Sequence, residues 1–229
     1  MKLSYKLLFL LTFVSTFIGV ASDRPEVSEK SGVSEPKIKK VLFIGDSMTG
    51  WMADRLNAYG ELNDFKVSTV IWDGSTVKKW GTADALPELI ENSGADAVFL
   101  SLGLNELLIP NPSSLDSYVD NILEAVGNRH FLWVGPPSWP GRPGGEALNN
   151  WLEKKLGKGR FFRCFDMTIP RQSAKNPHPS KSGSSLVVDE LMKWVPTYTN
   201  MNFGHLQTPA DEKMVRSKDF VYKRMKENL

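Results

Sequence analysis

The stretch VLFIGDSMTG, residues 41–50, decides the fold of this chain. It opens with a continuous apolar run from Val41 to Ile44, and Gly45 ends the run. An apolar run without polar alternation is typical of a strand buried on both faces of a sheet. Beyond it, apolar side chains recur at helical spacing over residues 50–60, and Gly60 suits the end of a helix. The stretch therefore predicts a buried strand followed at once by a helix.

The same pattern of strand and helix continues along the chain. Further apolar runs predict strands at 67–72, 97–102, 130–134 and 160–165. Helical patterns lie at 86–92, 115–126, 147–156 and 184–195. Five such alternations predict an α/β fold, a three-layer α/β/α sandwich around a five-stranded parallel sheet. Ligands bind such sheets at the carboxyl ends of the strands, so the residues after each strand form the candidate site.

The composition is that of one globular domain with additional segments. Hydrophobic residues make up 41% of the 229 residues and charged residues 24%, which is enough for a core and too apolar for a disordered chain. Lys and Arg number 28 against 26 Asp and Glu, and the excess equals Lys2 and Lys6 in the first apolar stretch. Without that stretch the charges balance, which excludes a nucleic-acid binder with a basic excess. Cys164 is the single cysteine, so a disulfide framework and a multi-cysteine zinc site are also excluded.

The two ends of the chain differ from its middle. A basic start, an apolar run and small residues predict a secretory signal peptide over residues 1–21. A transmembrane anchor is the alternative, although the run is short for the about 20 residues that a span needs. Residues 22–37 hold almost no large apolar side chains and are predicted to be a flexible linker. The domain then covers 38–195, and 196–229 form a polar C-terminal extension in which 211–225 suggest a surface helix.

A serine follows the first strand on a tight turn into a helix. On such a turn Ser47 would be exposed, with its own backbone N–H directed at the atom that it attacks. The turn is not the GxSxG elbow, because Thr49 stands two residues after the serine. Capping of the helix by Asp46 or Ser47 is the alternative interpretation.

Small and polar residues follow the next two strands. Gly74 comes after the second strand and Asn105 after the third. Glycine lets the backbone approach a ligand closely, and the asparagine amide is an N–H donor. Together with the N–H of Ser47 these groups would form an oxyanion hole. Asn105 is alternatively an ordinary turn residue.

One histidine stands out on a loop late in the chain. His178 lies between two prolines just before the last predicted helix, whereas His130 opens a strand and His205 lies in the C-terminal extension. An imidazole with a pKa of about 6.5 can take the proton of a serine hydroxyl as that oxygen attacks an ester. A solvated loop side chain is the alternative interpretation.

These four signals in this order resemble the SGNH hydrolases, also called the GDSL esterase/lipase superfamily. The resemblance covers about residues 39–195 and implies that Ser47 is the nucleophile and His178 the general base. It also implies an oxyanion hole made by Ser47, Gly74 and Asn105. The loop at 135–139, which ends in Trp139, is similar to a pocket-lining loop of this family. The pattern is closest to an exported bacterial subgroup that acts on acyl groups of cell-envelope sugars.

The sequence departs from the family pattern at two positions. Lys175 stands three residues before His178, where the family often has Asp, and a lysine cannot accept the imidazole N–H. The acid is then a backbone carbonyl or a carboxylate from elsewhere, for which Asp166 is a candidate, or the site is a Ser–His dyad or inactive. Glu106 stands where the family typically has Asp, in a position that supports the loop.

The leading hypothesis is an exported serine esterase, secreted or periplasmic, that removes small acyl groups, above all acetyl, from carbohydrate. The alternatives are an acyltransferase, a lipase or thioesterase, a catalytically weak sugar-binding relative and a flavodoxin-like binder.

Tryptophans beside the site (Trp51, Trp72, Trp80 and Trp139) can stack on sugar rings, although packing in the core or at its rim is the simpler interpretation. The expected partner is a small-molecule or glycan ester. No cofactor, metal, nucleic acid or stable membrane span is predicted.

Overall fold

The computed structural model describes residues 35–224 and 226–229. The predicted signal peptide and most of the predicted linker lie outside the described residues. The strands are β1 (Lys40–Gly45), β2 (Lys66–Trp72), β3 (Ala97–Ser101), β4 (His130–Val134), β5 (Phe161–Phe162) and β6 (Phe220–Lys223). The helices are α1 (Thr49–Asn63), α2 (Val77–Gly81), α3 (Leu86–Ser93), α4 (Asp116–Val126), α5 (Glu146–Leu156) and α6 (Lys181–Tyr198). Short 3₁₀ turns lie at Leu104–Glu106 and Pro112–Leu115.

The sheet is parallel throughout and has the strand order β5-β4-β3-β1-β2-β6. The predicted α/β architecture is confirmed, but among the described residues the sheet has six strands and not five. The order reverses at β1, because the chain adds β2 on one side of it and β3 on the other. In open α/β sheets the crevice at such a switch point is the usual place for a ligand.

Two hydrophobic cores cover the two faces of the sheet. Neighbouring strand residues alternate between them: Val41 and Phe43 belong to one core, Leu42 and Ile44 to the other. Helices α1 and α6 pack on the first face, and α2 to α5 pack on the second. Because both faces are covered, the inner parts of strands β1, β3 and β4 are continuous apolar runs, which is why these strands could be predicted from the sequence.

Two elements of the structure differ from the prediction. The fifth strand contains only Phe161 and Phe162, paired with the end of β4. Helix α2 was not predicted, since it is a single short turn whose start depends on tertiary contacts. The N–H of Val77 at its start donates to the Glu106 carboxylate at 2.6 Å, and the N–H of Lys79 donates to the Thr76 hydroxyl at 3.1 Å.

The surface helix suggested for residues 211–225 is wrong. The described part of that segment holds strand β6, which pairs with β2 in the register Thr69↔Phe220 to Trp72↔Lys223. The pairing supplies partners for backbone groups on the outer edge of β2, which a helix in the same place would have left without a strand partner.

Buried Arg55 of α1 ties the C-terminal extension to the domain. Its guanidinium forms a two-pronged pair with Asp189 of α6, with both N–O distances at 2.9 Å. The same group donates to the backbone carbonyls of Pro209, Ala210 and Lys213. Residues 196–229 thus belong to one compact unit that spans Glu35–Leu229. Within the described part of the chain, none of the helices has both the length and the hydropathy of a membrane span.

Candidate active site

The turn after β1 is built to present Ser47. The Asp46 carboxylate accepts a hydrogen bond from the Met48 N–H at 2.9 Å, and its backbone carbonyl accepts one from Thr49 at 3.1 Å. At Gly45 a Cβ atom would collide with the backbone of β3 and with the Thr49 side chain. The glycine and the buried aspartate together fix a tight turn, on which the serine side chain stays half-exposed.

The Ser47 hydroxyl lies 2.9 Å from Nε2 of His178, although 131 positions separate the two residues. That distance is within the range expected for a nucleophile and its general base. The histidine loop is closed on itself: Gln172 N–H donates to the His178 carbonyl at 3.1 Å, and Ser180 N–H donates to the Pro170 carbonyl at 2.9 Å. The flanking prolines are buried, so the imidazole is held against the serine.

Asn176 is the partner of the other imidazole nitrogen. Its Oδ1 accepts the backbone N–H of His178 at 2.9 Å and lies 2.8 Å from Nδ1 of the same residue. A backbone N–H can only donate, so the atom that receives it is the amide oxygen. Nδ1 must then carry the proton that it shares with this oxygen, which leaves Nε2 with a free lone pair toward Ser47. The geometry therefore selects the tautomer that a general base needs.

Neither the lysine in the usual acid position nor Asp166, the sequence candidate for the acid, is the hydrogen-bond partner of the imidazole. Lys175 is exposed and has no part in the contact with the imidazole. Asp166 pairs with Arg163, with Oδ2 at 2.6 Å from Nε, and its side chain is 67% exposed. An available signal was missed: an asparagine two residues before the histidine can form an Asx turn onto that residue's N–H, which brings the amide oxygen close to the ring.

Burial has the largest effect on the pKa of the His178 imidazole. Desolvation lowers the pKa of His178 below its ordinary value, Arg171 adds to that effect, and Asp73 opposes it. Since burial disfavours the charged form, the ring is neutral at neutral pH. A neutral ring with a free Nε2 is the form that accepts a proton.

Gly74 and Asn105 lie in the loops that follow the two neighbours of β1. The end of β1 at Gly45 pairs with Ile71 of β2 and with Ser101 of β3, so these loops flank the Ser47 turn. Gly74 has a φ of 63°, in the left-handed region that glycine adopts without strain. One N–H of the Asn105 amide donates to the Ser75 carbonyl at 2.7 Å, and the amide has a second N–H for a ligand. The oxyanion-hole role of these groups stays a prediction.

Two carboxyl groups, buried Asp46 and half-buried Glu106, hold the backbone of the loops around the site. Burial raises the pKa of Glu106 to about 7, although its contact with the N–H of Val77 opposes the change. Burial likewise raises the pKa of Asp46 to about 7, with further raising effects from Glu106 and Asp73. Glu106 joins the loop after β3 to the start of α2, which is the supporting position expected for it.

A cavity of about 210 Å³ opens beside Ser47 and His178. Its other lining residues are Met48, Gly50, Trp51, Ile71, Gln172, Pro179, Ser184, Arg216, Phe220 and Tyr222. A larger surface groove of about 910 Å³ lies at α2, α3 and α4, away from the serine.

The four tryptophans near the predicted site divide between the cavity and the core. Trp51 lines the cavity. Trp72 and Trp80 are buried and meet edge to face at 5.7 Å, so they are core residues. Trp139, predicted to line the pocket, packs on the α1/α6 core beneath Arg142, whose guanidinium lies 4.3 Å from the ring centre, and is not among the cavity's lining residues. Across the described residues, no three His, Cys, Asp or Glu side chains are grouped as metal ligands would be.

The sequence matches no family model. Among solved structures, the chain resembles a protein described as lipolytic and of the G-D-S-L family from Desulfitobacterium hafniense DCB-2. The two are 14% identical with a TM-score of 0.54, over 68% of this chain and 98% of that one. A gut microbial diltiazem-metabolizing enzyme matches with 11% identity and a TM-score of 0.45 over 72% of this chain, which spans about half (48%) of that enzyme's length.

The likeness to the G-D-S-L protein establishes the fold. Together with the parallel sheet and its flanking helices, it confirms the α/β architecture implied by the resemblance to the SGNH hydrolases.

Proposed function

We propose that this chain is a serine esterase on the SGNH fold, exported from the cell, which hydrolyses small acyl esters, above all acetyl groups on carbohydrate. The observation that carries the proposal is the line of contacts from the Ser47 hydroxyl through the His178 ring to Asn176. A hydroxyl alone is a weak nucleophile at neutral pH, and a neutral imidazole at hydrogen-bond distance is the group that activates it.

The reaction follows from these positions. Nε2 of His178 accepts the hydroxyl proton while the Ser47 oxygen bonds to the ester carbonyl carbon. The resulting oxyanion accepts hydrogen bonds from the N–H groups of Ser47, Gly74 and Asn105, each worth about 3 kcal/mol in the transition state. The carbon–oxygen bond to the alcohol then breaks, and His178 returns the proton to the leaving oxygen. Water, activated by the same imidazole, releases the acid from acyl-Ser47.

Asn176 takes the orienting role that a carboxylate has in many such sites. An amide oxygen fixes the tautomer and the plane of the ring, but it carries no charge to stabilise the imidazolium. Nucleophile–His–Asn arrangements of this kind operate in papain-like proteases, so a neutral third residue is compatible with catalysis.

The size and lining of the cavity support a small acyl group. The cavity of about 210 Å³, part of which the reacting atoms occupy, has room for a short acyl chain. It is too small to be the long acyl channel of a lipase. The aromatic ring of Trp51, which also lines the cavity, offers a face on which a sugar can stack. Acetyl specificity, carbohydrate and export are parts of this proposal.

The direct test detects the covalent acyl-enzyme at Ser47. The purified chain is mixed with p-nitrophenyl acetate, quenched in acid and examined by peptide mass spectrometry. We expect release of p-nitrophenol and an acetyl group on the peptide that contains Ser47. Turnover without acetylation of this serine, or no turnover above the buffer rate, would contradict the proposal.

The pH profile gives a second prediction. The neutral form of His178 is the active one, so kcat/KM should rise with pH and level off once the ring is deprotonated. Because burial lowers the pKa of His178, the midpoint should lie below about 6.5. Asp73 raises that pKa, so Asp73→Asn should move the midpoint lower still. A midpoint above the ordinary histidine value in the unaltered chain would contradict the assignment of this histidine as the base.

A further inference from the structure

The C-terminal strand forms one wall of the cavity beside Ser47. Three of the lining residues, Arg216, Phe220 and Tyr222, come from this segment. Tyr222 pairs with Ile71 of β2, which also lines the cavity. The segment that follows the predicted domain thus reaches the site itself.

The register of β6 decides which side chains face the cavity. Because side chains alternate along a strand, Phe220 and Tyr222 lie on one face and Val221 on the other. Val221 lines a separate apolar depression with Val70 and Leu89. Neighbouring residues of one strand therefore contact different surfaces.

The polar groups of this wall already have partners. The Arg216 guanidinium pairs with Asp54, with N–O distances of 2.7 and 2.8 Å, and stacks on Phe220 at 3.9 Å from the ring centre. The Tyr222 hydroxyl interacts with the Asp73 carboxylate, and this contact adds to desolvation in raising the pKa of Tyr222. The wall therefore offers mainly ring and hydrocarbon surface to a ligand.

The rest of the cavity lining is mixed. Met48 and Ile71 are buried apolar residues, Trp51 and Pro179 add further apolar surface, and Gln172 and Ser184 are polar. The apolar surface that Ile71 shares with Phe220 and Tyr222 suits the hydrocarbon part of an ester. The acyl chain is therefore the part of the substrate that fits beside β6.

We propose that β6 is the specificity-determining wall of the acyl site and that Tyr222 sets the upper limit on acyl length. This inference rests on the proposed esterase function. In substrates with a longer acyl chain, the additional methylene groups would meet the Tyr222 ring, which is held in place by its contact with Asp73 and by the pairing of β6 with β2.

The test compares acyl chain lengths in matched variants. Values of kcat/KM are measured for p-nitrophenyl acetate, butanoate and hexanoate with the full chain and with Tyr222→Ala. Tyr222 is 52% exposed, so its removal should leave the fold intact, which circular dichroism checks. A methylene in an apolar pocket changes rates by about 10-fold or more, so the hexanoate-to-acetate ratio should rise at least about 10-fold in this variant.

Two control variants distinguish an effect of the Tyr222 ring from a general effect of altering β6. Val221→Ala shortens the adjacent side chain, which is 43% exposed on the other face, and should leave the ratio unchanged. Tyr222→Phe keeps the ring and should also retain the preference for acetate. An unchanged ratio in Tyr222→Ala, or an equal rise in Val221→Ala, would overturn the inference while the esterase proposal stands. Absence of Ser47-dependent turnover in the unaltered chain would instead remove the esterase proposal, and this inference with it.

Discussion

Hydrolysis of p-nitrophenyl acetate is expected to fall by at least about 10³-fold when Ser47 is replaced with alanine. The substitution removes the oxygen that forms the acyl-enzyme and leaves His178 without the proton that it transfers. The remaining rate would come from binding and from N–H donors that still polarise the carbonyl. Steady-state kcat/KM, measured with both proteins at one pH, gives the ratio.

A nearby exposed serine provides the control. Ser182 lies in the first turn of α6, a few residues after His178, and its hydroxyl contacts Ser180. Ser182→Ala should retain the full rate, because this hydroxyl is not in contact with the imidazole. Equal rates for Ser47→Ala and the unaltered chain would remove the esterase proposal.

Loss of the Asn176 side chain should lower kcat by about 10²- to 10⁴-fold. Without Oδ1, the proton on Nδ1 has no fixed acceptor, so the ring can rotate or adopt the other tautomer, in which Nε2 carries the hydrogen. The serine would then face a donor and could not give up its proton. The change is made as Asn176→Ala and followed as kcat with p-nitrophenyl acetate.

Two further variants distinguish orientation from general disruption. Asn176→Asp keeps an oxygen acceptor and adds a negative charge beside the imidazole, so it should preserve activity and raise the midpoint of the pH profile. Lys175→Ala alters an exposed neighbour and should have no effect. If Asn176→Ala were as active as Lys175→Ala, the orienting role would be wrong.

The fold was predictable because a strand buried on both faces of the sheet consists of consecutive apolar residues. Runs such as Val41–Ile44 are apolar without interruption, since helices cover both faces of the sheet. Strand β6 has no such apolar run, because it pairs along only one edge and its side chains are partly exposed. The charged residues around it led to the prediction of a helix. Helix α2 was also missed, because part of its capping comes from Glu106, which lies 29 positions away.

The order of residues along the chain was enough to nominate Ser47 and His178, because parallel strands bring their carboxyl ends to one edge of a sheet. It also pointed away from a complete triad, since position 175 holds a lysine. The contacts of Asn176 with His178 and of Asp166 with Arg163 span only two and three residues, so they were local features that the sequence reading missed. Only the tertiary structure decided that His178 meets Ser47 at hydrogen-bond distance and that β6 lines the cavity. The physical reason is the range of the interactions. Burial and turn chemistry act within a few neighbouring residues, whereas these two contacts join segments that meet only after the chain has folded.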